Sequence, residues 1–470
     1  MKCRTMRRLL KRRSVLMFNG GGPLSGNIKI LGRVLEDANT AIKDAAARPM
    51  SGHLTPDNDN EHIRFATPDV GLMESSKVMN IINTRWLTNG PAVREFEKKI
   101  AEISKCDRAV AYDSCTGAME MALRALGIGK GDEVITTPYT YSATAEVIRN
   151  VGAKIVFFDL DGKSFEMDYE KVAAAITEKT KAVMPVDIGG KLCNYESLMA
   201  AVSSKVDVFK PKNAIQKVIG RVAIVADAAH SFGATRNGKA SGELADFTCF
   251  SFHVLKNITT GGEGGAVVWK NIEGIDNDEL ETKLRLLGDH GQTSRDKSKG
   301  WEYDIALFGY NSIMTNVDAA MGIAQLDRLD EIVSRRMEVT ARYDSLFRTL
   351  DFGDSCNRVT PLIEHFAPTY TSAMHLYPIR LEIHSEDRTI EEIRNEVYFA
   401  LRDAGIPCNV HYKPLPMMTA YKKAGYSIED YPNAYEMFSG LLTIPYHTEL
   451  TMGQQQYIVS EIEKAVKKYE

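Results

Sequence analysis

Strand-like apolar runs alternate with helix-like stretches through much of this 470-residue chain, and this alternation limits the fold more than any other feature. Continuous apolar runs, rather than alternating ones, are typical of strands that are buried on both faces. The pattern therefore predicts an α/β fold with a mostly parallel sheet and helices on both faces. The predicted strands span 109–111, 134–136, 155–158, 182–186, 222–226, 248–252 and 265–269.

The rest of the chain divides into regions of different composition. Residues 1–60 are predicted to be a basic extension and linker, because residues 1–35 carry nine Lys and Arg and no Asp or Glu. Such a segment fits an organelle presequence, a tail attracted to phosphate or lipid, or a misassigned start codon. Residues 61–350 are predicted to form the large domain, ending in an amphipathic helix over 326–350. Residues 351–470 are predicted to form a smaller α+β domain.

Composition excludes some functional classes. The net charge is −4, which gives no global basis for nucleic-acid binding. Ten histidines and seven cysteines are scattered without a CxxC pair or metal-ligand spacing, so no metal site is predicted. The apolar run 14–18 is too short for a membrane span. An odd number of cysteines, spread through predicted core strands, favours reduced thiols and a cytoplasmic protein.

One lysine lies in an unusual setting. Lys256 stands between the predicted strand 248–252 and a turn rich in Thr and Gly, 258–265. Burial lowers the pKa of an amine, and a neutral amine can attack a carbonyl carbon. A capping position at a strand end is the commoner explanation for a single lysine. The other residues at this edge of the predicted sheet favour a Schiff-base lysine instead.

A carboxylate follows the predicted strand 222–226. Asp227 lies at the carboxyl end of a buried parallel strand, where α/β sheets place ligands. Such a carboxylate suits pyridoxal phosphate, because it keeps the ring nitrogen protonated and the ring an electron sink. His230 could hydrogen-bond the phenolic oxygen of the same ring. A helix N-cap explains Asp227 taken alone equally well.

Two further segments complete the pattern. Small residues, Thr116 and Gly117 among them, begin the helix-like stretch after the first predicted strand, and a helix start can bind an anion. Ser251 could add a hydroxyl to that site. Tyr141 follows the strand 134–136 and could stack on a flat ring. Taken alone, these segments also fit an ordinary Ser/Thr cap and a packing aromatic residue.

From about residue 63 to its C-terminus, the chain resembles the DegT/DnrJ/EryC1/StrS family of pyridoxal-phosphate-dependent nucleotide-sugar aminotransferases. The resemblance implies a fold-type-I architecture, like that of aspartate aminotransferase, with pyridoxal 5'-phosphate as cofactor. One departure is an additional glycine in Gly261 and Gly262, which is expected to shift the loop after Lys256. The motifs that carry the resemblance lie at 86–91, 114–118, 227–230, 251–265, 309–314 and 319–326.

The resemblance implies a role for each site residue. Lys256 would bond the cofactor and move the proton, Asp227 would pair with the pyridine nitrogen, and His230 would face the phenolic oxygen. Tyr141 would stack on the ring. The phosphate would be bound by Thr116, Gly117 and Ser251 and, from the other subunit of a homodimer with shared active sites, by Asn311.

The resemblance also implies the reaction. L-glutamate would donate an amino group to a nucleotide-linked keto-sugar by a ping-pong mechanism, for lipopolysaccharide, capsule or other glycan synthesis. Segment 251–265 is more similar to members that act on 4-keto sugars than to members that act on 3-keto sugars, which are the alternative. Sugar dehydratases of the same fold carry His in place of Lys256. A catalytically idle, cofactor-binding regulatory protein is disfavoured by intact Lys256, Asp227 and His230.

Overall fold

The computed structural model describes residues 63–469 except 163, 295–297 and 354–355. The predicted basic extension and linker, residues 1–60, lie entirely outside the described residues. The strands are β1 (Arg108–Tyr112), β2 (Glu133–Thr136), β3 (Lys154–Phe157), β4 (Thr180–Met184), β5 (Ala223–Asp227), β6 (Thr235–Arg236), β7 (Lys239–Ala240), β8 (Phe247–Ser251), β9 (Gly265–Trp269), β10 (Arg358–Pro361), β11 (Phe366–Ala367), β12 (Tyr370–Thr371), β13 (Tyr377–Glu382) and β14 (Leu441–Ile444).

Helices alternate with the strands over the first half of the described chain, as the sequence predicts. In the part that the structure describes, no helix is long and apolar enough to cross a membrane. The helices are α1 (Leu72–Thr84), α2 (Pro91–Ser104), α3 (Cys115–Ala125), α4 (Ser142–Asn150), α5 (Tyr169–Ala175), α6 (Tyr195–Ser203), α7 (Ala214–Ile219), α8 (Asn277–Gly288), α9 (Asn316–Asp327), α10 (Leu329–Phe347), α11 (Ile390–Asp403), α12 (Thr419–Lys423), α13 (Pro432–Ser439) and α14 (Met452–Val466).

A seven-stranded sheet in the order β1-β9-β8-β5-β4-β2-β3 carries the site described below. Its strands pair in parallel except for β9, which is antiparallel to both of its neighbours. Both faces of the central strand β5 are buried: Ala223 and Val225 pack in one apolar cluster, and Ile224 and Ala226 in another. This double burial explains why the strands read as continuous apolar runs, and it confirms the predicted mostly parallel α/β sheet.

The predicted helix over 326–350 is divided in two. Helix α9 ends at Asp327 and α10 begins at Leu329, because Arg328 between them leaves helical geometry with φ −124° and ψ 22°. The Arg328 guanidinium pairs with the carboxylates of Asp69 and Glu74, which lie more than 250 residues earlier in the chain. The break therefore coincides with long-range ion pairs that periodicity in one segment does not show.

The C-terminal residues form sheets of their own. Strands β10, β13 and β14 make a three-stranded antiparallel sheet, against which α10, α11 and α14 pack in one apolar cluster. A second small sheet joins β11 and β12 to β6 and β7 of the earlier chain. The boundary near residue 350 stays a prediction.

The additional glycine lies in the turn that connects β8 and β9. Backbone pairing continues past both strands, from Phe252 N to Gly264 O at 2.8 Å and from Val254 N to Gly262 O at 3.0 Å. A Cβ atom on Gly262 would meet no heavy atom within 4 Å. A Cβ atom on Gly265 would lie 2.3 Å from the backbone of Cys115, at the start of α3. Of Gly262 and Gly265, therefore, only Gly265 is required by close packing.

We expect Gly265→Ala to lower the free energy of unfolding by about 1–3 kcal/mol, because β9 and α3 must move apart to admit the methyl group. Gly262→Ala is the matched control in the same turn and should stay within about 0.5 kcal/mol of the parent protein. Urea unfolding of the three proteins measures the difference. Equal losses for both variants would contradict the packing argument.

Candidate active site

A cavity of about 400 Å³ opens at the carboxyl ends of the parallel strands. Asp227 ends β5, Ser251 ends β8, and Asp187 follows β4 after a short connection. The cavity brings together six of the eight site residues predicted from the sequence, which come from segments up to 140 positions apart in the chain: Thr116, Tyr141, Asp227, His230, Ser251 and Lys256.

Lys256 is placed on the turn after β8 with its amine toward the cavity. Burial lowers the pKa of the amine, and the negative charge of Asp227 opposes that shift only in part. A lowered pKa increases the fraction of neutral amine near pH 7, which is the nucleophilic form. The setting is therefore chemically suited to bonding a carbonyl compound.

Asp227 is 5% exposed, and burial raises the pKa of its carboxyl group. Two hydrogen bonds oppose that shift: Thr144 Oγ1 donates to Oδ2 at 2.6 Å, and Ala229 N donates to Oδ1 at 3.2 Å. Lys256 acts on this carboxylate electrostatically but forms no ion pair with it in the part of the chain that the structure describes. A buried carboxylate without a directly paired cation is suited to a ligand that brings an N–H cation.

His230 has a defined tautomer. The backbone N–H of Gly189 donates to its Nδ1 at 3.1 Å, so that nitrogen carries no proton. Burial and the positive charge of Lys256 lower the pKa of His230 well below its ordinary value, so the ring is neutral. The one ring proton is therefore on Nε2, which lies 3.3 Å from the hydroxyl of Tyr412. His230 presents a neutral N–H donor at the cavity.

The start of α3 forms one end of the cavity. Ser114 caps the helix by accepting from Gly117 N at 3.0 Å, and Ser114, Cys115 and Thr116 line the cavity. The first turn of an α-helix leaves N–H groups without helical acceptors, and the helix dipole favours an anion there. With the Ser251 hydroxyl nearby, this end suits a phosphate group.

Aromatic side chains form the opposite wall. Tyr141 is the N-cap of α4 and is 63% exposed, and its ring centroid lies 6.2 Å from that of Tyr412. His411 also lines the cavity and stacks on Phe65 at 5.7 Å. Burial lowers the pKa of His411 to about 4, so this ring is neutral as well. Tyr139, in contrast, is fully buried and packs in the core.

Two predicted residues lie outside the cavity lining. The N–H of Gly117 is taken by Ser114, and a Cβ atom at this glycine would lie 2.3 Å from Ser312 Oγ, so close packing requires the glycine. Asn311 is exposed and pairs with Asp289 through a backbone bridge. The nearby Asn316 is buried, and its side chain bonds Ala92 N and Trp86 O within the same chain.

Sequence reasoning missed several residues of the site. Asp187 is 1% exposed and accepts from Cys193 N, Tyr195 Oη and Ser231 Oγ, and burial raises the pKa of its carboxyl group to about 7. Its position after a parallel strand is the same signal that identified Asp227. Thr144 had a weaker signal, three residues after Tyr141 on the same helix. Nothing local indicated His375, which reaches the cavity from the C-terminal part of the chain.

The residues present fit pyridoxal phosphate. The cavity has a helix N-terminus at one end, a buried carboxylate without a paired cation, and an amine with lowered pKa. Its exposed aromatic face at Tyr141 suits a flat ring. Among the described residues no group of His, Cys, Asp and Glu could hold a metal ion. The cavity thus offers a helix N-terminus to a phosphate, a carboxylate to a cationic ring nitrogen, and an amine to an aldehyde carbon.

A mostly parallel sheet with such a cavity at its carboxyl edge defines a fold-type-I enzyme that depends on pyridoxal phosphate. The model of the DegT/DnrJ/EryC1/StrS aminotransferase family matches residues 69–463, so the chain belongs to that family. The recognition made from the sequence motifs is thereby confirmed.

Relatives and a solved structure agree with this assignment. The chain is similar to Spr1654 of Streptococcus pneumoniae, assigned as a sugar aminotransferase and solved in PLP and PMP forms. The PLP form has a TM-score of 0.81 and 39% identity, covering 87% of this chain and 100% of that one. A Campylobacter jejuni UDP-4-amino-4,6-dideoxy-N-acetyl-beta-L-altrosamine transaminase is 33% identical, with 87% and 99% covered. A Pseudomonas aeruginosa UDP-2-acetamido-2-deoxy-3-oxo-D-glucuronate aminotransferase is 32% identical, with 70% and 78% covered.

The chain is therefore a pyridoxal-phosphate-dependent nucleotide-sugar aminotransferase. When bound, the cofactor supplies an aldehyde carbon that accepts amines and a ring that stores an electron pair. Asp227 can hold the proton of the ring nitrogen, and His230 can donate from Nε2 to the phenolic oxygen. The amine of Lys256, whose pKa is lowered by burial, would bond the aldehyde carbon and would take and return a proton.

We expect Thr144→Val to weaken cofactor binding by roughly 10- to 100-fold, because hydrogen bonds to charged groups contribute about 1.5–3 kcal/mol. Loss of this bond raises the pKa of Asp227 further, so less of it is ionised to pair with the ring nitrogen. Thr144→Ser keeps the hydroxyl and should bind within about threefold of the parent protein. Spectrophotometric titration with pyridoxal phosphate measures both. Similar affinities for the Val and Ser variants would show that the hydrogen bond is unimportant.

Proposed function

We propose that this enzyme transfers the amino group of L-glutamate to the C4 position of a nucleotide-linked 4-keto sugar, by a ping-pong mechanism. The observation that carries the proposal is the grouping of Lys256, Asp227 and His230 around one cavity, in which burial lowers the pKa of the Lys256 amine. The product, an activated amino sugar, would be used for lipopolysaccharide, capsule or other glycan synthesis.

The preference for C4 rests on segment 251–265. In this segment, His253 and Glu263 are residues shared with family members that act on 4-keto sugars. Both line the cavity, where they can face a substrate. His253 Nε2 lies 3.9 Å from Glu263 Oε1, and the Glu263 side chain is 69% exposed. The alternative is amination at C3. The Pseudomonas aeruginosa relative is named for a 3-oxo sugar and the Campylobacter jejuni relative for a 4-amino sugar, and their sequence identities to this chain are nearly equal.

The donor and the lysine can be tested together. Addition of L-glutamate to the purified enzyme should bleach the visible band of the bound cofactor, because Lys256 is displaced and the amino group is transferred. Lys256→Ala should not form the normal band. A band that glutamate does not change would indicate another donor, or a catalytically idle regulatory protein if the other amino acids also leave it unchanged.

A test of the keto position needs two substrates that differ only in which sugar carbon carries the keto group. After treatment with glutamate, the enzyme should aminate a UDP-linked 4-keto-6-deoxyhexose and restore the visible band. The matched 3-keto sugar should react at least tenfold more slowly, because the reacting carbon must lie near Lys256. Mass spectrometry and NMR of the product identify the aminated carbon. Faster reaction of the 3-keto sugar would establish the alternative.

We also propose a homodimer in the cytoplasm, with active sites shared between subunits. Large apolar side chains are exposed along the segment that leads to Asn311: Trp301 is 73%, Phe308 97% and Tyr310 40% exposed. Exposed aromatic residues of this kind are typical of a surface that a partner covers. The cytoplasmic location is supported by the six described cysteines, all of which are free thiols.

Mixing two inactive variants tests the shared site. If Asn311 completes the cavity of the other subunit, Asn311→Asp and Lys256→Ala should each be impaired alone, because the first adds a negative charge beside a phosphate. Subunit exchange between them should restore part of the activity, since a mixed dimer contains one site without either substitution. No recovery, with exchange verified by mass spectrometry, would place Asn311 outside the shared site.

A further inference from the structure

Residues 373–376 connect the two sides of the cavity. They precede β13 and therefore come from the C-terminal part of the chain, yet they contact the turn after β8 and the turn after β4. His375 in this segment lines the cavity and is 6% exposed. The mechanism described above gives no role to this buried histidine.

Ala373 and His375 of this segment bond the side chain of Asn257, the residue after the reactive lysine. The Asn257 amide Nδ2 donates to the carbonyl of Ala373, which can only accept, so Asn257 Oδ1 faces His375. His375 Nδ1 lies 2.9 Å from Oδ1 and must be the donor. The Asn257 side chain is thus fixed at both of its polar atoms, immediately beside Lys256.

The backbone of the same two residues bonds the turn that orients His230. The backbone N–H groups of His375 and Ala373 donate to Gly189 O at 3.0 Å and to Gly190 O at 2.9 Å. The N–H of the same Gly189 donates to His230 Nδ1. The rings of His230 and His375 are in contact, with their centroids 4.4 Å apart. One short segment is therefore bonded to the supports of both His230 and Lys256.

We propose that His375 is a positioning residue for Lys256, which it holds through Asn257. Lys256 is on a turn rather than on a strand, so its direction depends on side-chain contacts of that turn. The Nδ1–H of His375 fixes Asn257, and Asn257 fixes the backbone from which the lysine extends. His375 itself needs no contact with cofactor or substrate for this role. The proposal depends on cofactor bonding by Lys256 and not on the donor or the keto position.

Variants at His375 can separate the hydrogen bond from the bulk of the ring. The amide nitrogen of Asn reproduces the position of Nδ1, whereas that of Gln reproduces Nε2. In holoenzyme titrated with pyridoxal phosphate, borohydride reduction traps the cofactor on Lys256, and peptide mass spectrometry gives the trapped fraction. We expect half-trapping to require about tenfold more cofactor in His375→Leu and His375→Gln, and less than about threefold more in His375→Asn.

A double-mutant cycle tests the route through Asn257. Asn257→Ala should reproduce the effect of His375→Leu, and the double variant should be no worse than either single variant, because both remove the same link. If His375→Leu does not fold, the Asn257→Ala and His375→Asn proteins still decide the matter. The proposal would be overturned if the effects of Asn257→Ala and His375→Leu multiplied in the double variant, or if His375→Asn did not restore trapping.

His447→Leu is a control for loss of a buried histidine. His447 is 5% exposed in the same part of the chain, and it is not among the residues that line the cavity. Trapping on Lys256 should be unchanged in this variant, whatever its melting temperature. An equal loss in His447→Leu and His375→Leu would mean that the effect is only structural. Trapping requires neither amino donor nor sugar, so its result is separate from tests of the proposed substrates.

Discussion

The active site depends on one electrostatic constraint, the burial of the Asp227 carboxylate at the end of β5. Burial of a charge in a protein interior costs several kcal/mol unless hydrogen bonds and a counter-charge compensate for it. Thr144 and the backbone of Ala229 provide hydrogen bonds, but no basic side chain of the described chain pairs with Asp227 directly. The remaining compensation is available to a cationic ring nitrogen. The same burial that is unfavourable for the protein alone therefore favours binding of the cofactor.

The lowered pKa values of the basic groups around this carboxylate follow from the same burial. Desolvation lowers the pKa of Lys256, His230, His375 and His411, and the cationic form of Lys256 lowers those of the three histidines further. Several positive charges held close together in one site would repel one another, which disfavours the protonated forms of these groups. The imidazoles of His230 and His375 instead have fixed tautomers, which a backbone N–H and a side-chain oxygen select. Charge and proton position are thus set by the surroundings and not by residue type alone.

The cavity also joins distant parts of the chain. Residues at the ends of strands of the large sheet line it, but the segment 373–376 and the pair His411 and Tyr412 reach it from the chain that follows α10. Backbone hydrogen bonds from the 373–376 segment to Gly189 and Gly190 fasten these parts together. Exposed aromatic residues lie in the segment that leads to Asn311, which is consistent with the proposed covering of that surface by a second subunit.

The sequence alone determined the sheet and the centre of its chemistry. Continuous apolar runs placed the strands, because burial on both faces requires them. Asp227 was found because it directly follows such a run, and Lys256 because it lies between such a run and a turn rich in Thr and Gly. Tertiary structure decided the division at Arg328, whose partners Asp69 and Glu74 are remote in the chain. It also decided the roles of Thr144 and His375, since a hydrogen bond between distant segments leaves no periodic pattern in either one. The local sequence predicts which strands are buried. The histidine tautomers and the directions of the pKa shifts depend instead on neighbours that only folding brings together.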